Sequence, residues 1–291
     1  MREKIEYFIV RFLLSIAKVL PKGLLYKLFR YLTLLVYHLD KKRRNLTITN
    51  LKVVLGLDED DAIKLSKDVY IELSKTITEI VLMFVDRFDI DSAIINKDEA
   101  IAKIDKLLAN SPNGIIAMTA HFSNWELLAQ FLARHGLKMM VVGREGNNKL
   151  IEHNITTPLR RKYGNDTVYK HKAMMAMFKT LKKGGNVGIL IDQKAGKSNS
   201  VMVDFFGCKA STTTAVAMLK QKFDPLVVPF FVAREPDGKY NLIIQDAIET
   251  NCQEDSIKCL EEMTQSYNDA MQEVISRYPA QWFWMHNRWR L

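Results

Sequence analysis

The stretch TAHFSNWELL, residues 119–128, sets His121 five residues before Glu126, at the end of the apolar run GIIAMTA. An imidazole with an ordinary pKa of about 6.5 is largely neutral near pH 7 and can take a proton from a hydroxyl. A carboxylate on the next helical turn can hold one ring nitrogen as an N–H donor, leaving the other as an outward acceptor. A base held this way contributes about 10²- to 10⁴-fold in rate. The same residues also have a purely local reading: Ser123 with Glu126 three positions on is a capping box, in which the carboxylate only satisfies a backbone donor. The nearby helix N-terminus disfavours the imidazolium and Glu126 favours it, so the two effects on the base oppose each other.

The rest of the chain limits what such a base can activate. There is no Gly-x-Ser-x-Gly elbow, and Cys208, Cys252 and Cys259 do not adjoin a histidine. Direct attack by a substrate hydroxyl is therefore simpler than an enzyme-bound intermediate. The histidines at 38, 121, 135, 153, 171 and 286 fall into no ligand spacing, so no metal is expected. An odd cysteine count without clustered spacing argues against a disulfide framework and for a reducing cytoplasm.

Short apolar runs bounded by turn residues mark the elements that must position His121: 114–120, 138–143, 186–192, 201–206, 226–233 and 240–245, the last two joined through Pro236-Asp237-Gly238-Lys239. Helical spacing occupies 123–135, 148–162, 172–183, 212–223 and 255–277. Alternating strands and helices imply an α/β fold, a mixed sheet flanked by helices, with His121 at the carboxyl end of a strand, where open sheets gather their sites. An all-helical region precedes it. The expected division is 1–40 as membrane-associating helices, 41–110 as a helical subregion packed on the body, and 111–291 as the α/β domain.

With 291 residues and 48% hydrophobic content the chain can fill a large core, which excludes disorder. Its formal charge of +9 points to phosphates, an anionic membrane surface or an acidic protein. Scattered lysines without interleaved stacking aromatics argue against nucleic acid and leave a nonenzymatic membrane adaptor as the reading from another class. In the N-terminal segment Lys4, Arg11 and Lys18 recur at sevenfold spacing, while Ile5, Phe8, Ile9, Phe12, Leu13, Ile16, Val19 and Leu20 fill the remaining circumference. That is the pattern of a helix lying in a membrane interface. LLYKLFRYLTLLVYHL and Lys41-Lys42-Arg43-Arg44 continue it. A single membrane span and a pair of ordinary core helices are the alternatives.

HFSNWE is similar to the His-x-x-x-x-Asp/Glu signature of the lysophospholipid acyltransferase superfamily, and especially to the HFGNWE form of the lipid A late acyltransferases. Four further stretches resemble that family in order and spacing: GREGN with RRKYG (143–164), DQKAG with VDFFGCKAST (192–212), VVPFFVARE (227–235) and PAQWFWMHNRW (279–289). Ser123 stands where the family pattern has Gly, Ala280 where it has Glu, and Asn287 where it has Arg.

The resemblance implies a cytoplasm-facing, inner-membrane enzyme that moves a fatty acyl chain from acyl carrier protein to a hydroxyl of a lipid A precursor. It implies His121 as general base, Glu126 as its orienting carboxylate, and Arg144 with Arg160 or Arg161 at headgroup phosphates. Asp192 falls near the active site, and Gln193 orients the acceptor sugar. The plain alternatives are surface arginines and a strand-end turn aspartate. No cofactor is expected beyond the phosphopantetheine arm that the donor brings. Lys194, Lys197 and Lys209 are expected on the rim that meets the acidic carrier. Ser211 or Thr212 is expected to cap the helix after FFGCKASTT, and Trp282, Phe283, Trp284 and Trp289, with Arg288 and Arg290, to form either a core plug with snorkelling cations or a wall of the cleft. A phospholipid or glycolipid acceptor, such as lysophosphatidic acid or a phosphatidylinositol mannoside, is the alternative. The glycerolipid branch has Asn before the histidine and Glu-Gly-Thr-Arg as its phosphate motif, where this chain has Ala120 and Asp192-Gln193.

Overall fold

The computed structural model describes residues 1–169, 172–250, 252 and 256–289, the side chain of Lys197 excepted. The chain begins with helices. α1 (Arg2–Val19) and α2 (Lys22–Leu39) meet at Pro21, which has no N–H to continue α1 and precedes the first residue of α2. α3 (Lys41–Leu55) ends at Gly56 with φ 65°, a left-handed closure that suits glycine. α4 (Glu59–Phe84) opens on Asp58, whose carboxylate accepts from the Asp61 N–H, and Glu59, Asp60 and Asp61 occupy its dipole-favoured first turn. α5 (Ile90–Ala93) and α6 (Lys97–Ala109) lead to the sheet. α4 is the spine of this region, packing against α1, α2 and α3 and against the C-terminal turn at Pro279–Gln281.

The body follows as β1 (Ile115–Thr119), α7 (Trp125–Arg134), β2 (Met139–Gly143), α8 (Lys149–Ile151), α9 (Thr157–Arg161), β3 (Asp166–Tyr169), α10 (Ala173–Leu181), β4 (Asn186–Leu190), β5 (Ser200–Phe205), β6 (Cys208–Thr213), α11 (Ala215–Phe223), β7 (Leu226–Arg234), β8 (Tyr240–Ile244) and α12 (Ile257–Arg277). Six strands form one sheet in the order β3-β2-β4-β1-β7-β8, parallel except for the β7–β8 hairpin, and β5–β6 is a separate antiparallel pair. This is the expected α/β architecture with a mixed sheet. β1, flanked by β4 and β7, is buried on both faces. Ala117, Val228 and Phe230 pack with α7, whereas Ile116, Met118 and Val187 pack on the side of α10, α11 and α12. Gly114 starts β1 at φ 82°, and a Cβ there would lie 2.2 Å from the Gly185 carbonyl oxygen, so no other residue fits.

Several elements differ from the sequence expectation. The helix expected over 148–162 is broken by a π turn, Glu152–Thr156, just ahead of Pro158, which has no N–H to donate to the preceding turn. β3 and β6 were not expected. Ser211 and Thr212 belong to β6 rather than capping α11, whose N-cap position is Thr214. Cys252 and Cys259 are joined in a disulfide, against the expectation from cysteine spacing, while Cys208 is free.

No helix among the described residues is long and apolar enough to cross a membrane. α1 and α2 nevertheless leave Ile5, Phe8, Ile9, Phe12 and Leu13, together with Leu28, Tyr31, Leu32, Leu35 and Val36, exposed. Ala17 and Leu14 of α1 pack in a cluster with Leu25 of α2, Leu82 of α4 and Val85.

Candidate active site

His121 lies two residues beyond β1, and β4 is the parallel neighbour of β1 with Thr119 level with Leu190. The pairing carries Asp192, two residues beyond β4, to the same height. Asp192 is 2% exposed and its two oxygens take three hydrogen bonds. Oδ1 meets His121 Nδ1 at 2.8 Å, and Oδ2 accepts from the His121 backbone N–H at 3.0 Å and from Trp282 Nε1 at 2.9 Å. A carboxylate at Nδ1 fixes that nitrogen as the donor and leaves Nε2 with its lone pair. Burial opposes the imidazolium, but the Asp192 charge, its hydrogen bond and the charge of Glu126 outweigh it and hold the His121 pKa above the usual histidine value. Burial likewise works against the Asp192 carboxylate, and His121 with its hydrogen bonds holds it below the usual range.

The carboxylate at Nδ1 is thus Asp192, and Glu126 does not make the contact expected of it. Glu126 lies on the first turn of α7 and accepts from Arg160 at 3.0 Å. Arg160 also approaches Glu152 at 3.6 Å, so it sits between two carboxylates and is engaged inside the protein. Arg161 is exposed and pairs with Asp166 at 2.5 Å. Arg144 is exposed, Gln193 is half-buried with its amide nitrogen 3.4 Å from His121 Nε2, and both line the same cavity as His121, Glu126, Arg160 and Lys194. That cavity holds about 660 Å³. Lys209 pairs with Asp204 on the separate hairpin, and the Lys197 side chain lies outside the described residues.

The capping box does not form. Asn124 is the N-cap of α7 and accepts from the Leu127 N–H at 3.0 Å, while Ser123 adopts φ 48°. That left-handed conformation costs a non-glycine residue about 1–2 kcal/mol. Neighbours hold it: the Ser123 N–H donates to Gln281 O at 2.7 Å, and Thr76 Oγ1 donates to Ser123 O at 3.1 Å. The family's Gly at this position has a direct physical reason.

Behind the site lies an ionic cluster that sequence reasoning missed. Asn124 Nδ2 donates to Glu79 at 2.9 Å, and Glu79 pairs with Arg234 at 2.8 Å and accepts from Tyr240. Arg234 also pairs with Glu72 at 2.6 Å. The cluster ties α4, β7 and β8 to the turn after His121. Gln281 grips the backbone of Arg234 from both sides, and Phe283 N–H donates to His121 O at 3.1 Å. Trp282, Trp284 and Trp289 are buried as a plug, and Trp282 also reaches the site through Asp192. Arg288 is 1% exposed, so it does not snorkel. It donates to Ser211 O at 2.5 Å and Thr212 Oγ1 at 2.6 Å, and burial pushes its pKa down to about 10. Arg290 lies outside the described residues.

This geometry offers a partly exposed imidazole at the head of a long cavity, its Nε2 holding a lone pair and approached by the Gln193 amide. The model of the bacterial lipid A biosynthesis acyltransferases matches residues 1–291. The chain belongs to that family. A lipid A biosynthesis lauroyltransferase of Escherichia coli is 31% identical over 181 residues, and a lipid A biosynthesis acyltransferase of Haemophilus influenzae is 24% identical over 185 residues. These matches cover 61% and 62% of this chain and 56% and 55% of the relatives, so the matched stretch spans about half of their length. Within the lipid A acyltransferase family four of the five stretches read from the sequence meet at the cavity. HFSNWE, DQKAG and PAQWFWMHNRW converge on the His121–Asp192–Trp282 contact, and GREGN with RRKYG forms the side of the cavity around Arg144 and Arg160.

Proposed function

We propose that this chain transfers a fatty acyl group from acyl carrier protein to a hydroxyl of a lipid A precursor at the cytoplasmic face of the inner membrane, with His121 as general base. The observation that carries the reading is an imidazole whose Nδ1 is committed to Asp192 and whose Nε2 faces a cavity long enough for a lipid chain. Nε2 takes the proton of the acceptor hydroxyl as its oxygen attacks the donor thioester carbonyl. The C–O bond forms, the C–S bond breaks, and the imidazolium returns the proton to the departing phosphopantetheine sulfur. Asp192 holds the ring and stabilises the cation formed midway. Glu126 acts through its charge and by keeping Arg160 in place. Arg144 meets a headgroup phosphate, Gln193 orients the acceptor, and Lys194 with Arg144 favours the acidic carrier's approach. Arg160, already paired with carboxylates, supports the cavity wall, and Arg161 is held by Asp166 outside its lining. The reaction as written uses no resident metal or cofactor.

The exposed apolar faces of α1 and α2 support membrane association, with the helices lying in the interface and Lys4, Arg11 and Lys18 at headgroup level. Asn148, which caps α8 beside the cavity, donates to the Glu3 carbonyl and Glu6 carboxylate of α1. That contact holds α1 against the segment that follows Arg144, which supports a site lying close to the proposed membrane surface.

The test incubates purified protein with acyl carrier proteins bearing different chains and with tetra-acylated lipid A precursor, reading product mass. A gain of one acyl group that disappears in His121→Ala, with an unchanged circular dichroism spectrum, is expected. Transfer from acyl-CoA to lysophosphatidic acid, with none to the lipid A precursor, would replace this acceptor with the alternative one.

A further inference from the structure

Below His121 the cavity runs between α7 and the sheet. The row Thr167–Val141–Gly188–Ala117 crosses four strands in register, and its centre is an absent side chain beside a single methyl. A Cβ at Gly188 would lie 3.3 Å from Met139 Sδ and 3.4 Å from Val141 Cγ2, so the glycine opens a trough beneath the helix. From the level of His121 to that of Met139 is six strand residues, about 20 Å. This limb is apolar except along one side.

There the hydrogen bonding is incomplete. Gln130 is fully buried and lines the cavity, yet neither its Nε2 nor its Oε1 has a partner. Thr167 Oγ1, which lines the same cavity, is also buried without one. A buried polar group without partners costs about 1–3 kcal/mol, so three such atoms around one limb point to a ligand rather than to packing. An anion does not suit the place, because Glu126 and Glu152 already outnumber Arg160 there. A hydroxyl does, since it both donates and accepts, as the amide requires. Gln130 lies four residues beyond Glu126, about 6 Å deeper along the helix, so the hydroxyl belongs near the carboxyl end of a chain.

We infer that the limb between α7 and the sheet binds an acyl chain carrying a hydroxyl near its carboxyl end, and that Gln130 is the residue that reads that hydroxyl. The inference rests on the acyltransferase reading and adds a specificity determinant to it. The chain belongs to either the donor or the acceptor, and paired substrates separate the two.

Rates are measured for wild type and Gln130→Leu with carrier-bound donors of equal length with and without a 3-hydroxyl, and separately with acceptors with and without a free hydroxyl on a chain that is not esterified in the reaction. Wild type should favour the hydroxylated member of one pair by about 10- to 100-fold, and Gln130→Leu should remove that preference while transferring the plain chain at least as well. The pair that responds names the source. Gln130→Glu serves as a second variant, because it keeps a polar group but loses the amide donor; it should retain part of the preference. Equal rates for both members of both pairs in wild type, or a preference unchanged in Gln130→Leu, overturn the inference alone. Failure of every donor and acceptor to react overturns the acyltransferase reading and the inference with it.

Discussion

The two ends of the cavity are built on opposite principles. At the upper end Asp192 takes three hydrogen bonds, His121 is held through its ring and backbone, and the turn behind it is tied to Glu79 and Arg234. In the lower limb Gln130 and Thr167 keep polar atoms unpaired. Where the protein satisfies its own groups it fixes geometry in advance, which a base needs because a small misplacement is costly in rate. Where it leaves them open, a ligand completes the structure, and selectivity follows from what that ligand brings.

The largest break in this contrast is to remove a support of the upper end. Arg234→Met leaves Glu79 buried without its cation, and a loss of about 3–5 kcal/mol is expected. Urea unfolding should show it as a lower midpoint with an unchanged slope. Next comes the exposed apolar face of α1, on which the proposed membrane association rests. Replacing both Phe8 and Phe12 with Asp removes two large apolar groups from α1, and vesicle co-flotation should fall more than tenfold while the melting temperature stays nearly constant. The smallest effect is at the strained turn. Ser123→Gly relieves a left-handed serine whose buried hydroxyl has no partner, and a gain of about 1 kcal/mol is expected by the same unfolding measurement. A decrease there would mean that the serine hydroxyl is satisfied and the turn unstrained.

Much of this architecture could be read from local pattern. The apolar runs placed β1, β2, β4, β7 and β8, and the turn at Gly238 joins the last two as expected. β3 escaped notice because DTVY is four residues long, and β6 because CKASTT is small and polar with no apolar alternation. The site was half legible. His121 announced itself at a strand end, but its nearest carboxylate in sequence, Glu126, diverted attention from its nearest in space. Asp192 was visible as a strand-end aspartate, yet its contact with His121 depends on β4 lying beside β1, and strand order is a long-range property. Arg234 lay within the stretch VVPFFVARE, but nothing in that stretch linked it to Glu72, Glu79 or Tyr240. The members of this cluster come from α4, β7 and β8, and only their shared burial shows that they belong together.

The central claim is that Asp192, rather than Glu126, orients the base. The most direct test is the pH dependence of kcat/KM for acyl transfer in wild type and Asp192→Asn, with circular dichroism confirming the fold. His121 must be neutral to act, and Asp192 raises its pKa, so the wild-type rate should fall on the acid side beginning above the usual histidine value. In Asp192→Asn the rate at neutral pH should drop about 100-fold or more, and the acid limb should move to lower pH because the charge favouring the imidazolium is gone. An Asp192→Asn profile that keeps the wild-type limb and rate, with Glu126→Gln producing both changes instead, would contradict the account.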